Sequence, residues 1–446
     1  MFFPRGGSAQ VVRSLARQLP AQGWTPRIVS GSLAGHGDAH RFFAGLDVAA
    51  TVDFDDAAHA ADPLAHDPPF HPSYEDRPGA PDRVFARVDD AGYEHQVATW
   101  SVALTRAGAR EADVLHLHHL TPLNEAAARV APGVPVLGHL HGTELLMLEE
   151  IAEGPPAGWD FAEAWWERMR GWAARCARIV VLADAQLDRV SDLLDVPAGQ
   201  CLVLPNGFDP EMFAPDPGRR RLAHWRRHLV DAPQGWAPGR DAGSIAYAEE
   251  DLDVFAGDAP VLLYVGRFTK VKRIGLLVRA LARARAEHGT TAPLVILGGH
   301  PGEWEGEHPL DAVRATGVHG VFLAGWHDHD RLPAFLAASD VLVLPSVREQ
   351  FGQVLVEAMA CGVPPVAVDA HGPATIVADG ETGWLVPPDD EAALAEALAQ
   401  ATGDSAERAR RGANARAAAL AHYAWPSLAA RLAACLDEAA STARHR

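Results

Sequence analysis

Short, wholly apolar runs separated by stretches of helical periodicity constrain this chain more than any other feature. In its second half, runs at 261–265, 294–297, 321–323, 341–344, 365–368 and 383–386 alternate with amphipathic segments. Runs of three to five residues with no polar alternation suit strands covered on both faces, the condition met in parallel sheets flanked by helices. One intervening helix carries Ile274, Leu277, Val278 and Leu281 on a single stripe and stops at Gly289. The first half repeats the pattern less regularly. Gly6 and Gly7 precede Ser8, a candidate N-cap, and the stripe Val12, Leu15, Ala16, Leu19. Strands are expected at 27–30, 114–117, 134–140, 179–182 and 202–204, with a helix at 161–174, before Pro205-Asn206-Gly207 breaks the chain. Such alternation predicts parallel sheets with helices on both faces.

The 446 residues suit two large domains. A net charge of -19 argues against a nucleic-acid groove, which needs clustered positive charge. No apolar run approaches the ~18 residues of a membrane helix, and the start, Met1-Phe2-Phe3-Pro4-Arg5, lacks the pattern of a secretion signal, so no transmembrane segment and a cytoplasmic location are expected. Cys176, Cys201, Cys361 and Cys435 lie far apart without metal or disulfide spacing and read as reduced thiols. Of 39 Lys plus Arg, only Lys270 and Lys272 are lysines. A compact ammonium and a flat guanidinium do different work, so two lysines in one loop point to a site that needs the former.

In open parallel sheets ligands bind beyond the carboxyl ends of the strands, and four such places stand out. The loop Gly266-Arg267-Phe268-Thr269-Lys270-Val271-Lys272-Arg273 gathers cations at the expected start of a helix, where they oppose the helix dipole and so suit an anion such as a diphosphate. After 341–344, Glu349 and Glu357 flank Gln350-Phe351-Gly352-Gln353-Val354; Glu349 belongs to the loop, while Glu357 shares a helix face with Gln353 and Cys361. The pair can bind hydroxyls at two ends of one ligand. His116, His118, His119, His139 and His141 cluster at two strand ends; because residues alternate faces along a strand, only subsets could converge, and the set is read as core or supporting histidines with no metal. Finally, Gly6-Gly7 could bring bare N–H groups to a phosphate or an acceptor.

The block from Val261 to about Pro388, with its Glu349-x7-Glu357 element and upstream Arg267 and Lys272, resembles the C-terminal domain of the family 4 retaining glycosyltransferases of GT-B fold. A weaker likeness runs from Gly6 to Phe213 through Gly6-Gly7, His141-Gly142-Thr143 and Pro205-Asn206-Gly207-Phe208-Asp209. The resemblance implies two Rossmann-like α/β domains facing a central cleft, with a UDP-, GDP- or ADP-sugar as donor and no separate cofactor. It implies that Arg267 and Lys272 hold the diphosphate, that Glu349 contacts the sugar hydroxyls and Glu357 the ribose, and that His141 lies near the donor sugar and leaving phosphate. Gly266, Phe351, Gly352, Gln353 and Val354 would complete the donor pocket. Configuration would be retained, the departing phosphate assisting the incoming hydroxyl of a small-molecule, lipid-linked or glycan acceptor. Arginine, lysine and the helix dipole can replace a metal in this role.

The expected division is an N-terminal domain over 1–206, a connector over 207–258, a nucleotide-sugar domain over 259–424, and a helix over 425–446 returning toward the first domain. Two departures from the family pattern stand out: only Met1 to Pro4 precede the glycine loop, so the first strand is read as truncated, with the true start upstream, and Thr375 occupies a position where the family often has Glu. The stretch 62–89, rich in Pro, His and Asp, reads as an irregular insertion tied to acceptor choice. Phosphorolysis or epimerisation on the same pocket, or non-catalytic nucleotide-sugar binding, remain open. A dehydrogenase does not, since no GxGxxG follows a strand.

Overall fold

The apolar runs form parallel strands in two units. The computed structural model describes residues 4, 6–75, 81–257 and 259–444. One unit comprises Met1–Asn206 with Trp425–Arg446, the other Gly207–Ala424.

In the first unit, β1 (Ile28–Ser32) and β2 (Val48–Asp53) form a two-stranded parallel pair, while β3 (Leu115–His118), β4 (Val136–His139), β5 (Arg178–Val181) and β6 (Cys201–Val203) form a four-stranded parallel sheet in that order. Strand β2 escapes the sequence reading because most of Val48-Ala-Ala-Thr-Val-Asp53 is only half-buried, so it shows neither a solid apolar run nor a clean alternation. Residues 1–3 and 5 lie outside the described residues, and with them the expectation about a truncated first strand.

The irregular stretch expected at 62–89, described here for 62–75 and 81–89, carries core residues. Leu64, Phe70, Tyr74, Val84 and Phe85 enter the main core of the first unit, and Tyr74 donates its hydroxyl to the Leu120 carbonyl at 2.7 Å. Aromatic residues spaced without period pack here as single plugs, which periodicity cannot reveal. The helix Trp425–Arg444 belongs to the same unit: Leu428, Leu432 and Leu436 pack with Val11 and Leu15 of the helix Gly7–Gln18 and with Leu137 of β4 and Val180 of β5.

The second unit holds one six-stranded parallel sheet. Its strands are β7 (Leu262–Val265), β8 (Leu294–Leu297), β9 (Val321–Gly325), β10 (Val341–Leu344), β11 (Pro365–Val368) and β12 (Trp384–Val386), in the order β12-β11-β10-β7-β8-β9. All four residues of β8, β10 and β11 are buried, as the unbroken apolar runs require. Order reverses between β7 and β10, so the carboxyl ends of these two central neighbours mark the switch point of the sheet. Residues 207–257, expected as a connector with a local helix, cluster with this unit. Trp225 and Trp236 are fully buried, and Arg221, on the short helix Arg221–Arg226, pairs with Asp340 at 2.7 Å while that carboxylate also accepts the Val261 N–H at 2.7 Å. Position 340 thereby ties the entry of β7 to that of β10.

Leu432 is fully buried in the cluster that joins the C-terminal helix to the first sheet. Leu432→Ala should cost the first unit about 2–5 kcal/mol through lost burial and the cavity left behind. Urea unfolding followed by tryptophan fluorescence measures this, and an unchanged midpoint would show that the helix carries none of the unit's stability.

Candidate functional site

The lysine loop and the Glu349 loop meet at the switch point of the second sheet, and Glu357 lies on the helix that the Glu349 loop leads into. The chain leaving β7 passes through Gly266 and exposed Arg267, turns at Lys270–Lys272, and enters the helix Ile274–His288 only after Arg273, which adopts φ 54°. The cations thus occupy a tight turn ahead of the helix, not its first turn as the sequence suggested. The loop after β10 lies alongside, joined by the Val347 N–H donating to the Val271 carbonyl at 3.0 Å. Across this junction Lys272 Nζ and Glu349 Oε2 form a close ion pair, with the two side chains 16% and 20% exposed. Both are shielded enough for the attraction to exceed that of a surface pair, and open enough for a ligand to compete.

Glu357 is 2% exposed on the helix Gln353–Ala360. A carboxylate so buried needs partners, and it accepts from His329 Nε2 at 2.8 Å and from Gln353 Nε2 at 3.1 Å. Gln353 also donates to the Gly207 carbonyl at 2.5 Å. Burial, with Glu357 nearby, pushes the Cys361 thiol up to about 12, which keeps it protonated and inert. Gly352 caps the helix with φ 98°; the N–H groups of Gln353 and Val354 open its first turn, and Phe351 packs inward against Tyr423. Gly372 is required by close approach: its N–H donates to the Glu349 carbonyl at 3.0 Å, and a Cβ there would lie 2.2 Å from the Phe351 carbonyl oxygen. Thr375 bonds back to the Gly372 carbonyl at 2.7 Å within its own short helix.

Sequence reasoning missed three participants. His329, which follows β9 in the run His327-Asp328-His329, was findable by inspecting the end of every strand. Tyr264 lies under the lysine loop and donates to the Arg267 carbonyl at 3.1 Å; burial, with Glu349 as the second cause, pushes its phenol up. Asp389 pairs with Arg273 at 2.6 Å, and those hydrogen bonds hold its carboxyl below the usual range.

The remaining candidates belong to the first unit. Gly6 has φ 85° and caps the helix Gly7–Gln18 without a side-chain bond; both glycines are exposed, and an added Cβ would meet nothing at either. His141 is buried after β4, with its Nε2 2.9 Å from His118 Nδ1 and its backbone N–H 3.2 Å from Glu144 Oε2. Glu144 is fully buried in the first turn of the helix Thr143–Glu153, where the dipole favours an anion, and pairs with His119 Nδ1 at 2.6 Å. His116 and His118 share a face of β3, and His118 sits beside His139 in register on β4. The rings of His118 and His139 stack with that of His141, the ring of His116 stacks with that of His139, and His116 Nε2 is 3.2 Å from His139 Nδ1. A subset of the histidines therefore does converge. Burial brings the His116 imidazole down to about 4, and burial together with neighbouring imidazoles holds His118, His139 and His141 well below their usual value.

Comparison with known proteins places this geometry in a family. The model for Glycosyltransferase Family 4 matches residues 5–212, and that for Glycosyl transferases group 1 matches residues 251–418. A D-inositol 3-phosphate glycosyltransferase of Kineococcus radiotolerans is 30% identical over 344 residues, covering 72% of this chain and 71% of the relative. The chain belongs to the family 4 glycosyltransferases. A protein of the same description from Stackebrandtia nassauensis is 32% identical over 317 residues, 68% of this chain; the match spans 63% of that relative's length, less than two thirds. Among solved structures, Anabaena HepE in complex with UDP and glucose superposes with a TM-score of 0.66 at 19% identity, covering 97% of this chain and 96% of that one, a likeness of GT-B fold. No helix among the described residues of this family member is long and apolar enough to cross a membrane.

The histidine cluster makes a pH prediction. Its folded-state values are depressed, so below the unfolded value of about 6.5 the unfolded chain binds protons that the folded chain does not. The stability contributed by neutral burial is complete above that pH and is lost as pH falls toward 4, by about 1.4 kcal/mol per pH unit for each ring that stays neutral. Urea unfolding of the first unit at pH 7.5 and 5.5 should show a marked loss at the lower pH; a flat profile would mean that the rings protonate in place.

Proposed function

We propose that this family 4 member transfers a hexose-type sugar, with retention of anomeric configuration, from a nucleoside diphosphate sugar to an acceptor hydroxyl. The observation that carries the reading is the Lys272–Glu349 ion pair at the switch point of the second sheet, with buried Glu357 on the helix that follows. A cation and a carboxylate already paired with each other are displaced most readily by a ligand that satisfies both, and a sugar diphosphate offers phosphate oxygens to one and hydroxyls to the other. In this reading Lys272 and Arg267 take the diphosphate and stabilise the charge that grows as the sugar–phosphate bond breaks, the main catalytic contribution. Glu349 binds the sugar hydroxyls. Glu357, held by His329 and Gln353, accepts hydroxyls of the ribose, and its rigid setting preorganises that end of the ligand. Gly266, Phe351, Gly352, Gln353 and Val354 shape the pocket, the last two offering N–H groups to the phosphates. Thr375 leaves one polar contact of the usual family pocket unfilled.

His141 is assigned a part near the donor sugar and leaving phosphate, and the core-forming stretch 62–89 a part in acceptor choice. HepE, named for a complex with UDP and glucose, makes the uridine donor the first to test.

Thermal unfolding with UDP, GDP, ADP and their common sugar conjugates tests the assignment. A matching donor at about 100 times its Kd should stabilise the protein by about 2.7 kcal/mol. Lys272→Ala should abolish the shift for every diphosphate, and Glu349→Ala only the added shift from the sugar. Product analysis with the donor so identified should show the α- or β-configuration carried through unchanged. A folded sample that no nucleotide stabilises would overturn the donor assignment.

A further inference from the structure

From the first unit we infer that His116, His118 and His139 form a binding site for one divalent transition-metal ion of the zinc class. One ligand nitrogen from each ring lies within 4.8 Å of the other two, and among the described residues this is the one group of three or more metal-capable side chains so placed. Backbone geometry fixes the arrangement: His116 and His118 project from the same face of β3, and parallel pairing sets His139 of β4 beside His118. Imidazole nitrogens are preferred ligands for zinc, copper and nickel rather than for magnesium or calcium.

Two further observations favour a ligand over plain packing. A buried structural histidine is ordinarily tied to a backbone carbonyl or a carboxylate, as His119 is to Glu144. These three rings bond only to histidines: His116 to His139, and His118 to His141. The 3.2 Å between His116 Nε2 and His139 Nδ1 also approaches the ~3.3 Å edge of a tetrahedron with metal–nitrogen bonds of about 2.0–2.1 Å.

His118 uses Nδ1 toward His141 Nε2 at 2.9 Å, which leaves Nε2 for the ion. Binding through Nε2 puts the His118 proton on Nδ1, donated to His141, the outer hydrogen bond that orients metal-bound histidines. Each ring binds through an unprotonated nitrogen and keeps its single proton on the other. Three protein ligands leave the fourth position of a tetrahedral ion to water or another small ligand. His116, partly exposed, gives the ion its route to the site.

Cobalt(II) tests the site in the full chain after stripping with chelator. One equivalent should produce the visible absorption of a four-coordinate cobalt centre, zinc should abolish it competitively, and X-ray absorption at the cobalt edge should count three imidazoles. His116→Gln and His139→Gln should each weaken binding by at least about 10-fold, while His119→Gln retains it. A folded wild-type chain that gives no such absorption, or a cobalt centre with fewer than three imidazoles, would overturn the proposal even if neither ligand variant folds. Nucleotide binding by the second unit is a separate readout and does not enter this test.

Discussion

In a parallel sheet every strand delivers the loop at its carboxyl end to the same rim, and in the second unit the pairing of β7 with β10 decides which loops meet there. Leu262 pairs with Val341 and Leu263 with Leu342, while Asp340 binds both the Val261 N–H and Arg221 at the opposite end of the strands. Fixing that register fixes the lysine turn against the Glu349 loop. The Val347 N–H, the Lys272–Glu349 ion pair and the tight seating of Gly372 against Phe351 all follow from the same adjacency. Glu357 joins them because it lies on the helix that the Glu349 loop begins, at the spacing that lets Gln353 reach it.

This arrangement gives the two lysines of the chain different settings. The turn Lys270–Lys272 brings one ammonium to a half-shielded carboxylate and leaves the other exposed. A guanidinium on a longer, flat fork would meet Glu349 with two bonds and yield it less readily to a ligand. An ion pair partly open to solvent between two loops is a resting state suited to replacement by a ligand of mixed charge and hydroxyl character.

Much of the second unit was legible in the sequence because its strands are solid apolar runs and its functional residues sit where those runs end. Glu349, Glu357 and Lys272 came from spacing and position alone, and the family resemblance then supplied roles. His329 was not found, since a histidine in a loop carries no periodic signature and its partner lies 28 positions away. The first unit was harder to read. Strand β2 is half-buried and mixed in character, and the Pro-rich stretch around Phe70 and Tyr74 hides core residues among polar ones. The histidines of β3 and β4 were visible as a set, yet only the register of the two strands shows that His116, His118 and His139 share one face while His119 turns to Glu144.

The central claim is that the Lys272–Glu349 pair occupies the place of a sugar diphosphate. The direct test is a crystal structure of the protein with UDP-glucose, or with whichever donor it binds. The account predicts that Lys272 Nζ moves to a phosphate oxygen, that Glu349 accepts from a sugar hydroxyl, and that Glu357 accepts from the ribose without leaving His329. A donor bound elsewhere, with the ion pair intact, would contradict it.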